Sequence, residues 1–306
     1  MSNTIVTGGS QTIESGGVAI GTVVQAGGIE TVAVNGLTSG ALVSGFEDVY
    51  GSVVSNTIVT GGSQTIESGG VAIGTVVQSG GDETVSAGGL TSGVLVSGFV
   101  DLYGSGLSNT IDTGGSQTIQ SGGTALGTVV QFGALETISA RGSSISATVS
   151  GSEDVFGYAS GTTIADGGIE TVESGAVVAS IVVSSGGTLA LSGGTVSGVS
   201  FTSGGSITVL GSAFVSGATA TLTGDVLTLS NGDTTTVISG FALLTSGAFQ
   251  VTSGTGGIVI TETAAPSGPL VISTGSSFAV LSGQTLSEST IQSGGIETVS
   301  AGGATF

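Results

Sequence analysis

Residues 2–54 recur almost unchanged as residues 55–107, and SNTIVTGGSQTIESGGVAIGTVVQ is identical in both copies. A more diverged third copy opens at Ser108 (SNTIDTGGSQTIQSGG) and a fourth at Gly161 (GTTIADGGIETVESG), so the period is 53 residues each time. A fixed period of this length points to one supersecondary unit stacked on itself, and it settles architecture before any single residue is considered.

Each block resolves into two units of 19 residues and a shorter one, GALVSGFEDVYGSVV. In register, Ile5 lies over Val24, Gly8-Gly9 over Gly27-Gly28, Gln11 over Glu30 and Ile13 over Val32. Every unit is a β-branched run, a glycine turn, a second run and a second turn. Such a unit cannot bury its apolar residues alone, whereas stacking buries them and pairs each strand above and below. With 60 glycines and no segment of 3.6 period, helix is excluded. The expected fold is all-β: a single-stranded parallel β-solenoid (β-helix) of about 16 rungs, each near 19 residues.

Regular repeats are expected over 1–176. An irregular continuation follows over 177–284, and a truncated repeat resumes over 285–306. Within the irregular part, DVLTLSNGDTTTVISGF predicts a type I′ hairpin centred on Asn231-Gly232. TAAPSGPL, with Pro266 and Pro269, predicts an excursion or hinge in the stack.

Units such as GTVVQSGGDETVSAGG and GGIETVESG resemble the strand-loop-strand repeats of AIDA-type autotransporter passengers, a bacterial adhesin family. The resemblance covers 1–176 and 285–306 well and the middle only loosely. It implies a secreted or cell-surface protein serving adhesion, autoaggregation or biofilm, glycosylated on serine or threonine in some members. Glycans, a host or matrix surface, or a second copy would be its partners. The alternative is a passive stalk that spaces another module; a polysaccharide-cleaving β-helix enzyme is a third reading. The opening MSNTIVTGGSQTIESGG has neither a positive n-region nor an apolar h-region, so no Sec signal peptide is visible. Nor does the chain carry the alternating strands and aromatic girdles of a membrane barrel.

The chain has no His, Cys or Lys, and Arg141 is its only basic residue, against 20 acids and a formal charge of −19. Nucleic acid is therefore excluded as a partner, since phosphate binding needs clustered Lys and Arg. Nucleophile–base dyads cannot be built, and no apolar run is long enough to insert this segment in a membrane as a helix. No catalytic residue, resident cofactor or metal site is assigned. Glu47-Asp48, Asp82-Glu83 and Glu153-Asp154 are neighbours in sequence, but adjacent strand residues point to opposite faces and would not clasp one glycosidic bond.

One acidic column is the most informative polar feature. It runs Gln11, Glu30, Glu47 or Asp48, Gln64, Glu83, Asp101, Gln117, Glu136, Glu153 or Asp154, Glu170. Strict alternation would bury Glu30 beside Val32, so the acids are expected at the turn, as a solvated edge. The sharper expectation is an adhesive or Ca2+-binding ladder on Glu30, Glu83, Glu136 and Glu170, because hard cations prefer oxygen ligands. The aromatics Tyr50, Tyr103 and Phe156 repeat at the 53-residue spacing. They are expected to pack against the shorter rung, with a spaced row for sugars as the alternative.

Overall fold

The computed structural model describes residues 3–243, 247–254, 256–264, 270–272, 277–280, 285–286, 289–299 and 304–305. The segment holding Pro266 and Pro269 lies outside them. The described residues contain strands and no helix, arranged as a parallel β-solenoid of about 14 turns. Contacts divide the chain into two units, Met1–Ala159 and Ser160–Phe306.

In the first unit each turn contributes three short strands, illustrated by Ser10–Ile13, Val18–Ile20 and Val23–Val24. Stacked, they form a long wall, a second wall and a third wall. The long wall has nine strands, from Ser10–Ile13 through Ile29–Val32, Phe46–Val49 and their copies to Ser152–Val155. All its pairings are parallel and in register, so that Ile13 lies on Val32, Val32 on Val49 and Val49 on Ile66. The core is thus a set of aliphatic ladders, Val24, Val43, Ile58 and Val77 along one wall and Val32, Val49, Ile66 and Val85 along another, all fully buried.

Rung length changes only in the turns. Gln25–Gly28 joins Val23–Val24 to Ile29–Val32, whereas Ser44-Gly45 makes the same connection one rung later. Likewise Ala33–Gly36 becomes Tyr50-Gly51. Both contractions remove two residues, which turns the 19-residue unit into one of 15 and leaves every strand in register. Glycine is required at the tight corner: a Cβ on Gly45 would lie 2.4 Å from the Gln25 carbonyl oxygen and 2.5 Å from that of Gly28.

The second unit begins with parallel rungs, Ile169–Glu173, Thr188–Ser192 and Ser206–Leu210. The parallel pattern then breaks. Gly257–Ala264 pairs antiparallel with Ser206–Leu210, and Gly247–Gly254 antiparallel with Gly257–Ala264. Thr219–Thr223, Val226–Asn231 and Thr234–Ser239 form an antiparallel meander. Parallel pairing resumes between Ser277–Val280 and Ile296–Val299. These excursions use chain that would otherwise make rungs, which is why 14 turns form where about 16 are expected from length alone. The buried rings of Phe201, Phe241 and Phe249 pack against one another in this unit's core, with successive centroids 5.8 and 5.6 Å apart.

The expected turn at Asn231-Gly232 is displaced by one residue. Asn231 pairs with Thr234, so the two loop residues are Gly232 and Asp233, and of these only Gly232 has positive φ, at 58°. That is the pattern of a II′ rather than a I′ turn. Asn231 is held in the strand because its buried amide is used: Oδ1 accepts from the Val215 N–H at 2.7 Å, and Nδ2 donates to the Ala213 carbonyl at 2.8 Å.

Candidate functional site

The acidic column is inside the solenoid. Alternation along each long-wall strand is strict, so Glu30 shares the inward face with Val32, and Glu83 with Val85. Glu30, Glu47, Glu83, Glu136, Glu153 and Glu170 are all fully buried. The expectation of a solvated edge at the turn is therefore overturned. At the third rung of each block the inward residue is Glu47, Val100 or Glu153, while Asp48, Asp101 and Asp154 point outward. Asp101 accordingly leaves the column and Val100 takes its place.

Burial is tolerated at Glu30, Glu47 and Glu136 because each meets side-chain donors, from a facing wall or from the adjacent rung of the same wall. Asn56 Nδ2 donates to both oxygens of Glu47 at 2.9 and 3.0 Å, and Gln64 Nε2 donates to its Oε2 at 2.6 Å. The Thr38 hydroxyl donates to Glu30 at 3.0 Å. Gln117 Nε2 reaches Glu136 Oε1 at 2.7 Å, and the Ser144 hydroxyl its Oε2 at 3.3 Å. Asn56 and Asn109 also close the ladder against the main chain, accepting from the N–H groups of Ala41 and Val94. Glutamine thus does more than dilute charge: it supplies the N–H that a buried carboxylate needs.

Glu83 is less well served: it sits between Gln64 and Val100, neither of its oxygens makes a well-aligned hydrogen bond, and only the Thr91 hydroxyl opposes the effect of its burial. Burial pushes both Glu47 and Glu83 up to about 7, and the neighbouring Glu30 and Glu83 carboxyls add to the effect at Glu47. Burial also raises Glu30 and Glu136; at Glu136 the Glu153 carboxyl one rung on opposes the rise by hydrogen bonding. A protonated carboxyl beside an ionised one satisfies both, which is the arrangement expected for stacked acids in a dry interior.

Of the four predicted ladder residues, Glu30, Glu83 and Glu136 occupy one inward column of the first unit, and Glu170 an inward position of the strand Ile169–Glu173 in the second. A ligand at the surface does not reach them. Among the described residues no group of three or more acidic side chains is placed to hold a metal ion. As expected, Glu47 and Asp48 face opposite sides of the strand. In the second unit a cavity of about 530 Å³ is lined by Gly211, Ser212, Ala213, Phe214, Ser253 and further glycines, with no carboxyl group among them.

The outward face is where side chains are available. Tyr50, Tyr103 and Phe156 do not pack into the core as expected; they stand exposed on the outside. Phe46 and Phe99, four residues before the tyrosines, are exposed as well and recur at the same 53-residue period. Exposure at this first strand position does not depend on the short turn, since Ile29, which pairs with Phe46 and follows a four-residue turn, is exposed too.

No protein-family model and no curated protein matches the chain. Among solved structures it is similar to a TibC-catalysed, hyper-glycosylated fragment of TibA, with 25% identity and a TM-score of 0.64 over 100% of this chain and 90% of that one. TibA is an autotransporter adhesin passenger. The architecture here is that of such a passenger. It agrees with the AIDA-type resemblance carried by GTVVQSGGDETVSAGG and its copies, and the matched structure is an adhesin passenger rather than an enzyme.

Proposed function

We propose that the chain is a secreted or cell-surface protein that mediates adhesion or autoaggregation through many weak contacts along its repetitive face. The observation that supports this most is the likeness to the TibA passenger along the whole chain. The repeat adds a physical reason. Similar surface groups recur at the 53-residue step, and linked weak sites gain avidity without any one contact being strong. Glycans, matrix or a second copy are the proposed partners. Any calcium dependence would have to act at outward carboxylates such as Asp48 and Asp101, because the inward ones are closed off.

Beads coated with the purified chain test this reading. Saturable clumping, or saturable attachment to cells and matrix, with and without a calcium chelator, is the expected outcome. Beads that neither clump nor attach under any condition would leave only a shaft that spaces another module.

A further inference from the structure

The geometry points to a glycan-binding site repeated on the outer face of the long wall, built from Phe46, Asp48 and Tyr50 and again from Phe99, Asp101 and Tyr103. This rests on the adhesive reading above and adds to it a place and a ligand class: a neutral, hydroxyl-rich oligosaccharide.

Three observations converge. First, the side chains are available: Phe46 is 53% exposed, Phe99 58%, Tyr50 43% and Tyr103 45%. The four rings take matched outward positions in two consecutive blocks, a repeated aromatic pattern rather than a scatter of single apolar side chains. Second, Phe46 and Asp48 share the outward face of the strand Phe46–Val49 and the exposed Tyr50 follows at the turn, as Phe99, Asp101 and Tyr103 do one block on, so each triplet sets a carboxylate between two exposed rings. In the second triplet Gln120 Nε2 donates to Asp101 Oδ1 at 3.1 Å, which fixes that carboxylate from the next rung. Third, the rings sit at the contracted turns: Phe46 follows Ser44-Gly45 and Tyr50 opens Tyr50-Gly51, and Phe99 and Tyr103 take the same places at Ser97-Gly98 and Tyr103-Gly104, where the turns are two residues shorter than those of the rungs on either side. Three rungs separate the two triplets by ~14 Å.

The chemistry selects the ligand. A sugar ring offers an apolar C–H face to an aromatic ring and hydroxyl donors to a carboxylate, and the triplet presents both. Arg141 is the only cation in the chain, so a sulfated, sialylated or phosphorylated polymer would meet −19 of formal charge with nothing to pair it. The third block keeps Asp154 and Phe156 but has Ser152 in place of the first ring, so it is half a site.

The test uses the full chain on an array of neutral oligosaccharides, with sialylated and sulfated ones alongside, and the variants F46A/F99A and Y50A/Y103A. All four side chains are outside the core, and an unchanged melting curve verifies folding. Binding to neutral oligosaccharides, reduced about three- to tenfold per lost ring and absent for anionic ones, is the expected result. Wild-type chain that binds no neutral oligosaccharide, or binds one equally well as both variants, overturns the site. Bead clumping that persists unchanged in the variants would leave the adhesive reading standing while this site falls. Clumping lost in the variants without any glycan binding would make the rings a self-contact instead, and also overturns it.

Discussion

Glu83 shows what a buried acid costs when no well-aligned donor reaches it. Its carboxyl is raised to about 7 from an ordinary value of 4.5, so ionised Glu83 opposes folding above neutrality by roughly 3 kcal/mol at most. Glu83→Gln keeps the shape and removes the charge. It is expected to stabilise the fold at pH 8 by about 1–3 kcal/mol and to change little at pH 4, where the acid is already protonated in both states; urea titrations at the two pH values read this directly. Asn56 is the opposite case, since its amide serves Glu47 and the Ala41 N–H together. Asn56→Ala should cost about 2–4 kcal/mol at pH 7, measured the same way, because it orphans a buried N–H and leaves Glu47 with Gln64 as its remaining donor. The sequence presents Glu30 as inward by alternation, yet a carboxylate beside Val32 looks unaffordable until its partners are known. The partners of Glu30 and Glu47 come from other walls or from the next rung, eight to seventeen residues away, and no local pattern announces them.

At the scale of the element, the strands are conservative and the turns carry the variation. Gly45→Ala would drive a Cβ to 2.4 Å from a carbonyl oxygen that belongs to the stacked backbone and cannot yield. A loss of about 1–3 kcal/mol is expected, against a small effect for Ser44→Ala at the adjacent position; thermal melts of the two variants compare them. Replacing Ser44-Gly45 by Gln-Ala-Gly-Gly, the turn of the preceding rung, should be accepted with a shift of only a few degrees in Tm, because longer surface loops cost little closure entropy. The long-long-short rhythm was legible in the sequence, and so was the strand content. That both turns of the short unit contract while all three walls keep their register required the walls at once. At Asn231 the local signal was strong but placed one residue off, because the amide is held by Val215 and Ala213 and only the folded chain brings these together.

For the whole molecule, the formal charge of −19 overstates the native charge near neutrality, since Glu47 and Glu83 are half protonated near pH 7. The sign of the linkage follows. Glu30, Glu47, Glu83 and Glu136 all have folded-state values above 4.5, so the native chain binds more protons than the unfolded one in the interval above it. Their stabilising protonation is fully present below about pH 4.5 and is lost as pH rises to about 7 and beyond. The chain should therefore melt at a higher temperature at pH 5 than at pH 8, and unfolding at pH 6 should release protons, which a lightly buffered indicator dye would record. Deleting residues 55–107, one full block, should leave a folded protein with a smaller denaturant slope, because each rung contacts only its neighbours and the sequence on both sides of the cut is the same. Periodicity alone determined the solenoid, its 53-residue block and the absence of helix among the described residues, since a repeated unit with one apolar face has few ways to bury it other than stacking. Only the tertiary structure decided which side of the wall the acids and rings occupy. That choice depends on donors and turns brought together by stacking, and these lie a rung or a wall away along the chain.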